Sequence, residues 1–252
     1  MNILKRIKEE YSYTHQKYWP FTDVGKFWDT VIDYDEINKK ADSYSRRFVD
    51  GYNLSNIADG SYILDICART GNGTLYFWQR EKVKKALCAD FSDQMLKICA
   101  SRLKEAGVLF ECLKVESLPL VFKDGEFDAV LCFETVEHIS NPGDFIKELS
   151  RVIRLGGQMI LTTPNTSWGF IHTLSAIFNL HHSEGPHRFI GRKTLRKFVE
   201  ESGFKIITEK TCVLVPAGPR FLISLGAWLE KVIGNQAMSL FGLRRIFICE
   251  KI

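Results

Sequence analysis

The sequence lacks several features that would assign it to a class at once. Its 252 residues include seven cysteines but no C-x-x-C pair, so neither a paired-cysteine zinc site nor a redox motif is indicated. Most of these cysteines lie inside apolar runs, which is typical of reduced, buried thiols. The longest apolar stretch, Phe221 to Leu229, is too short for the roughly 20 residues that cross a bilayer.

A strong excess of charge is also missing. The formal net charge of +4 is mild and does not by itself imply nucleic acid or membrane as a partner. The segment from Met1 to Trp19 carries charges where a secretory signal needs an apolar core, which predicts a cytoplasmic location. The basic segment at 187–197 is interpreted as a solvated helix face. The run from Phe221, with Val232 and Ile233 behind it, could lie on a membrane surface, although a core-packed helix is favoured.

From residue 61 onward, apolar runs alternate with helical patterns, which predicts parallel strands joined by right-handed crossovers. The predicted strands are Tyr62–Ile66, Lys84–Ala89, Val108–Leu113, Phe127–Phe133, Gly157–Thr163, Phe204–Cys212 and Arg244–Glu250, with helices near 72–81, 92–106, 143–154 and 192–202. Ser92 and Gly107 are residue types expected at the two ends of the second helix. The predicted fold class is therefore α/β, with a doubly wound, mostly parallel seven-stranded sheet.

Two segments lie outside this alternation. Residues 1–60 form an aromatic-rich lead-in that we expect to be mostly helical and to cover the domain at 61–252. Residues 164–190 form an insertion after the fifth strand, with apolar residues at partly helical spacing. Both segments would flank the acceptor site, which makes Tyr18, Trp19 and Trp168 candidate substrate-binding residues. An equally simple interpretation is that these side chains complete the core.

The segment from Asp65 to Gly73 reads as a strand, a turn that contains glycine, and the start of a helix. In an open α/β sheet, the turn after the first strand is where a nucleotide-like ligand binds. A nicotinamide-binding fingerprint would need a third glycine where this chain has Tyr76, so a dehydrogenase is disfavoured. Asp90 ends the next strand, where a carboxylate can accept hydrogen bonds from ribose hydroxyls. Alternatively, Asp90 is a helix-start aspartate that contacts no ligand.

Three later segments, Lys114 to Leu120, Gly125 to His138 and Ile153 to Asn165, complete a pattern. Their order and spacing after Asp65–Gly73 and Asp90 resemble the class I S-adenosylmethionine (SAM)-dependent methyltransferases, particularly those of ubiquinone and menaquinone biosynthesis. The resemblance covers roughly residues 60–212. It implies a Rossmann-like methyltransferase fold whose antiparallel seventh strand lies next to the fifth, and S-adenosyl-L-methionine as the cofactor.

The resemblance also implies a role for individual residues. The methionine half of the cofactor would contact Asp65, Cys67, Arg69 and Gly71, and the sulfonium would lie near Phe133 and Glu134. The ribose would be bound by Asp90. The adenine would lie beside Phe91 and Met95, with Val115 and Glu116 at its edge. The chain departs from the family at Cys67 and Arg69, where glycines are usual, and at Lys114, where an aspartate is common. Arg69 could block the pocket. We expect instead that its guanidinium lies at the rim and pairs with a carboxylate.

The cluster Glu134-x-x-Glu137-His138 allows two interpretations. Some family members hold a divalent metal with a similar E-x-x-E-H group, and two carboxylates with an imidazole could supply ligands. The favoured interpretation is that Glu134 and His138 line the cofactor pocket while Glu137 pairs structurally, so no metal is assigned. Glu137, His138 and His187 are the catalytic candidates. Histidines 172, 181, 182 and 187 follow the fifth strand, and His187 is the preferred general base.

These patterns predict a SAM-dependent methyltransferase that acts on a small, apolar or aromatic acceptor. One alternative is a metal-assisted RNA 2′-O-methyltransferase, favoured by the E-x-x-E-H cluster and the basic 187–197 segment but disfavoured by the mild charge. A second alternative is a non-catalytic member of the fold that serves as a binding or partner subunit, for which Arg69 and Lys114 are the evidence. The sequence assigns no oligomeric state.

Overall fold

The computed structural model describes residues 3–39, 41–178 and 183–252. Its sheet contains β1 (Ser61–Ile66), β2 (Val83–Asp90), β3 (Phe110–Lys114), β4 (Phe127–Phe133), β5 (Ile153–Pro164), β6 (Phe204–Cys212) and β7 (Arg244–Lys251). The strand order is β3-β2-β1-β4-β5-β7-β6. Strand β7 runs antiparallel to both β5 and β6, and the pairs among β1 to β5 are parallel. The predicted doubly wound, mostly parallel sheet is confirmed, including the position of the antiparallel seventh strand.

Helices cover both faces of this sheet. They are α1 (Ile3–His15), α2 (Phe21–Asp29), α3 (Tyr34–Asn38), α4 (Asp42–Leu54), α5 (Asn72–Trp78), α6 (Asp93–Ala106), α7 (Pro142–Val152), α8 (Gly169–Ile177), α9 (Arg192–Glu201), α10 (Arg220–Val232) and α11 (Asn235–Phe241). Within β1, Leu64 and Ile66 belong to one buried cluster and Ile63 to the other. Because successive side chains of a strand point to opposite faces, each face of the sheet has its own core.

The residue types at the two ends of the second predicted helix agree with the structure, but the predicted start of β5 does not. The Ser92 hydroxyl accepts a hydrogen bond from the Met95 backbone N–H at 3.1 Å, and Gly107 ends α6 with φ of 76°. The predicted start of β5 at Gly157 is wrong, because the strand already begins at Ile153, which pairs with Phe127. Gly156, which lies between Ile153 and Gly157, has a φ of 73°. A left-handed glycine permits the bulge at which the register shifts.

The described residues before β1 are mostly helical and contribute to the core. Helices α1 to α4 occupy most of the described residues before β1. From α2, Phe21, Val24 and Trp28 join the same buried cluster as the interior of the sheet. Helix α2 packs across the start of α6. The lead-in is therefore part of the packed structure over the carboxyl ends of β1 and β2.

Helix α10 corrects the expectation for the apolar run that begins at Phe221. The sequence favours a core-packed helix there, but Gly226 is the buried residue of α10, while Phe221 and Trp228 are 69% and 57% exposed. The core-packed interpretation is therefore wrong. In the part of the chain that the structure describes, no helix has the length and apolar character needed to cross a membrane.

Candidate active site

The turn after β1 keeps a glycine-type backbone although two of its three left-handed residues carry side chains. Cys67, Arg69 and Gly71 have φ angles of 55°, 50° and 77°. A left-handed conformation costs a non-glycine residue about 1–3 kcal/mol, so it persists only where the surroundings impose it. Here the Arg69 backbone N–H donates to Asp90 Oδ2 at 2.8 Å, and the Gly71 N–H donates to the Ala68 carbonyl at 2.9 Å.

Two buried carboxylates lie beside this turn. Asp65 Oδ2 accepts hydrogen bonds from the Thr74 N–H at 3.0 Å and from the Thr74 hydroxyl at 2.7 Å. Burial raises the pKa of Asp65 to about 7, although these hydrogen bonds oppose the shift. Asp90 also accepts from the Ser92 N–H at 2.9 Å, and burial raises its pKa as well. Both carboxylates therefore hold the local backbone, and both lie where the strands end.

The Arg69 side chain points into the cleft between these strand ends. It is only 8% exposed, and its guanidinium carbon lies 3.9 Å from the Trp28 ring centroid. Its Nη2 donates to the Glu134 carbonyl at 3.0 Å, while its buried Nε has no acceptor among the described residues. The prediction of a guanidinium at the rim is wrong. The guanidinium lies inside the cleft instead, where the cation–π contact with Trp28 stabilises it.

Arg69 borders three cavities. The first measures about 280 Å³, and its wall includes Trp28, Tyr34, Trp168, Arg47 and Arg244. The other two measure about 10 Å³ each. One of them lies against Asp65 and Gly73, and the other against Asp90 and Phe91. The arginine thus separates one open cavity from two small spaces beside the buried carboxylates.

Helix α2 closes the space beside Asp90. The Phe21 ring stacks on Phe91 with centroids 4.5 Å apart. A Cβ atom added to Gly25 would lie 2.2 Å from the Phe91 carbonyl oxygen, so α2 meets the end of β2 at backbone distance. Asp29 accepts a hydrogen bond from the Ser92 hydroxyl at 2.6 Å and therefore also binds the start of α6. These side chains occupy the region that the resemblance assigns to the adenine.

Helix α3 is hydrogen-bonded to the turn after β1. Asp35 accepts hydrogen bonds from the Thr70 hydroxyl and the Asn72 side-chain amide, both at 2.9 Å. It also pairs with Arg102 of α6 at 2.5 Å. The sequence interpretation missed Asp29 and Asp35, because an isolated aspartate near a helix end gives no local sign of a partner far away in the chain.

The polar groups expected for SAM are in place, but the space for it is not. Ligand pockets of proteins measure about 300–1,000 Å³, whereas the spaces at Asp65 and Asp90 hold about 10 Å³ each. The described conformation therefore does not accommodate SAM at the position that the resemblance implies. Arg69, Phe21 and Trp28 would have to move before a ligand of that size could reach both carboxylates.

The three ionisable residues of the E-x-x-E-H cluster contact different partners. Glu134 pairs with Arg244 at 2.9 Å, Glu137 accepts from the Thr163 hydroxyl at 3.0 Å, and the His138 Nδ1 lies 3.1 Å from the Pro186 carbonyl. Across residues 3–39, 41–178 and 183–252, no group of three or more histidine, cysteine, aspartate or glutamate side chains could hold a metal ion. The metal-assisted alternative therefore has no assembled ligand set in the described residues.

The histidine candidates differ in their surroundings. Burial lowers the pKa of His138 to about 3, so its imidazole is neutral near pH 7 and a weak base. His187 is buried, with its ring centroid 6.4 Å from that of His138 and its Nδ1 2.8 Å from the Gly185 carbonyl. His172 lies in the wall of the 280 Å³ cavity. The histidines at 181 and 182 lie outside the described residues.

The remaining predicted site residues are spread over several places. Phe133 borders the space at Asp65, Val115 and Glu116 border a separate cavity of about 160 Å³, and Met95 is buried in the core. Lys114 pairs with Asp93 at 2.6 Å.

The three candidate substrate-binding residues lie in different surroundings. Trp168 borders the 280 Å³ cavity, whereas Tyr18 is 69% exposed. Trp19 is buried, and its Nε1 donates a hydrogen bond to the His138 carbonyl at 2.6 Å. The roles assigned to these residues stay predictions.

Comparison with known proteins identifies the domain that carries this cleft. Residues 64–161 match the family model of the methyltransferase domain. A ubiquinone biosynthesis O-methyltransferase from Dechloromonas aromatica is 32% identical over 107 residues, which cover 42% of this chain and 45% of that protein. A ubiquinone/menaquinone biosynthesis C-methyltransferase from Azotobacter vinelandii is 31% identical over 113 residues, covering 43% and 44% of the two chains. The chain thus spans less than half the length of these curated relatives.

Solved structures show the same fold at low identity. A geranyl diphosphate methyltransferase, solved with geranyl diphosphate and sinefungin, has a TM-score of 0.65 at 13% identity, covering 93% of this chain and 99% of its own. The [4+2]-cyclase SpnF has a TM-score of 0.64 at 16% identity, covering 92% and 96%. The predicted resemblance to methyltransferases and the predicted fold are confirmed. The enzyme class and the SAM cofactor of the whole chain stay proposals. The cyclase shows that this fold alone does not determine the reaction.

Proposed function

Because residues 64–161 match the family model of the methyltransferase domain, we propose that this chain is a SAM-dependent methyltransferase with a small, apolar or aromatic acceptor. The observation that carries the proposal is the turn at Cys67, Arg69 and Gly71, which retains left-handed backbone beside two buried carboxylates. Such strain at a strand end is typical of a ligand site.

The 280 Å³ cavity supports the acceptor part of this proposal. Its wall combines the rings of Trp28, Tyr34 and Trp168 with polar groups that include His172. Aromatic walls with a few polar groups suit a small ligand that has an apolar body and one reactive polar atom. The quinone-pathway relatives make an aromatic acceptor a reasonable first choice. His172 and His187 are the histidines proposed as general bases that take a proton from the acceptor, since the pKa of His138 is too low for that role.

The cofactor part requires a change of conformation. SAM would supply the methyl group, and Asp90 is proposed to bind its ribose once α2 has moved. Opening would release the Phe21–Phe91 stack and the contact of Trp28 with Arg69. The cytoplasmic location predicted from the sequence stays a prediction.

Substitution of Asp90 tests the cofactor site. Loss of a charge-assisted contact to two hydroxyls costs about 1.5–3 kcal/mol, so Asp90→Ala should weaken SAM binding roughly ten- to a hundredfold in a calorimetric titration. Asp93→Ala is the matched control, because Asp93 lies only three residues further along the chain, in the first turn of α6, and pairs with the partly exposed Lys114. Equal affinity of a folded Asp90→Ala variant and the wild type would contradict the proposal.

A second candidate is a non-catalytic member of the fold that serves as a binding or partner subunit. The closed cleft favours it, because Arg69 fills the place between the two carboxylates. Titration with SAM and its demethylated product, followed by a screen of phenolic, lipid and RNA acceptors with a labelled methyl group, separates the two candidates. Absence of both SAM binding and methyl transfer in the wild type would assign the chain to this second candidate.

A further inference from the structure

Helix α10 carries an apolar stripe on the outside of the molecule. Phe221, Leu225, Trp228 and Val232 are 69%, 48%, 57% and 62% exposed. Their spacing of four, three and four residues places them on one face of the helix. A helix that covers a core normally turns such a face inward. This helix instead has Gly226 as its buried residue, against Val215.

The charges of α10 are arranged around this stripe. Arg220 and Lys231 are exposed near its two ends. Glu230, the one acidic residue in the sequence of the helix, points inward, where it pairs with Arg46 at 2.8 Å and accepts from the Leu214 N–H at 3.1 Å. The outward face therefore presents apolar side chains flanked by cations. This combination complements an anionic lipid surface, where apolar groups enter the headgroup region and cations contact phosphates.

Helix α8 extends the apolar surface beside the 280 Å³ cavity. Phe170 and Leu174 are 67% and 48% exposed and lie four residues apart, on one face of α8. Other residues of α8, Ile171 and Ser175, line the cavity together with Ala217, which lies just before the start of α10. Helix α8 and the segment that leads into α10 thus line the cavity, and both helices carry exposed apolar residues.

We propose that α8 and α10 dock on a bilayer surface that contains anionic phospholipid, with the cavity facing the membrane. An acceptor with an apolar body could then reach the cavity from the bilayer without crossing water. The exposed stripe of α10 and its flanking cations support the docking. The statement about the acceptor rests on the proposed methyltransferase function.

Vesicle binding of the whole chain tests this inference. We expect wild type to co-sediment with phosphatidylcholine vesicles that contain phosphatidylglycerol, and to bind vesicles of phosphatidylcholine alone at least tenfold more weakly. Trp228→Ser and Leu225→Ser should each reduce binding to the mixed vesicles by roughly tenfold, because each removes a large apolar contact. Leu155→Ser is the control, since Leu155 is a leucine with 71% exposure that lies outside α8 and α10, near the start of β5.

Each outcome decides the matter. Failure of wild type to bind mixed vesicles, or an equal loss of binding in Leu155→Ser, overturns the inference. Dimerisation of the wild type that Trp228→Ser abolishes, without vesicle binding, would assign the stripe to a second copy of the chain instead. Calorimetry with SAM on the same samples keeps the two proposals apart. Vesicle binding without SAM binding contradicts only the methyltransferase, and SAM binding without vesicle binding contradicts only the docking.

Discussion

The two sides of Arg69 differ in how completely they are filled. On one side lies a cavity of about 280 Å³ with aromatic and charged walls, and on the other lie two spaces of about 10 Å³ against Asp65 and Asp90. The polar groups that would recognise a cofactor are on the filled side. The space for a ligand is on the open side. The buried Arg69 side chain, which contacts the Trp28 ring and donates to the Glu134 carbonyl, borders both sides.

The contrast between the two sides of Arg69 indicates that a binding site has two separable parts. The backbone turn and the carboxylates are set by the sheet, because they lie at strand ends whose positions the topology dictates. The free volume is set by what packs over the sheet, which here is α2 and α3. A chain can therefore keep the recognition groups of a site while its lead-in occupies the space.

The largest effect is expected from breaking the closed side at Gly25. Gly25→Ala would place a Cβ atom 2.2 Å from the Phe91 carbonyl oxygen, so α2 must move away from β2. Overpacking of this kind costs about 1–3 kcal/mol, which corresponds to roughly ten- to a hundredfold faster hydrogen exchange of α2 amides. Gly234→Ala is the control, because an added Cβ at Gly234 meets nothing within 4 Å. Unchanged exchange of α2 in Gly25→Ala would contradict the close contact.

The sequence predicted the sheet of this molecule but not the closure of its cleft. The strands follow from local apolar runs, and the caps at Ser92 and Gly107 follow from residue types at fixed offsets. By contrast, the Phe21–Phe91 stack and the Asp35–Arg102 pair join residues about 70 positions apart. No local pattern specifies such pairs. The departure at Arg69 was visible in the sequence, yet the direction of its side chain depends on Trp28 in another helix.

The sequence offers an exposed α10 only as its less favoured interpretation, for a related reason. An apolar run predicts that a helix has an apolar face, but it does not say whether that face meets the core. Here Gly226 allows close approach on the inner side, against Val215, and leaves the larger side chains outside. Burial is a property of the whole fold, so periodicity alone cannot predict it.

A smaller effect is expected at His138, which lies beside the space at Asp90. Burial lowers its pKa to about 3, Arg69 and His187 also disfavour the charged ring, and Glu184 favours it. Because the unfolded chain has a histidine pKa of about 6.5, the unfolded state binds the proton first as pH falls. Stability is therefore lost below about pH 6.5, by about 2 kcal/mol between pH 7.5 and pH 5.

Denaturant unfolding at these two pH values measures the contribution of His138. We expect His138→Gln to lose about 2 kcal/mol less than the wild type over the same interval, and His15→Gln, at an exposed position of α1, serves as the control. The same pH dependence in wild type and His138→Gln would contradict the burial of a neutral imidazole. A pH dependence that disappears in His138→Gln would show that the closed side of Arg69 excludes water in solution.

The separation of the two sides by Arg69 is tested most directly by titrating SAM into the wild type, Arg69→Gly and Arg69→Ala in a calorimeter. Removal of the side chain joins the three spaces and removes the contact with Trp28, so both variants should bind SAM roughly tenfold more tightly than the wild type. Alanine keeps the strained backbone, and an equal gain in both variants would identify the side chain as the cause. Equal or weaker SAM binding in both variants would contradict the account, because it would mean that Arg69 does not hold the cleft closed.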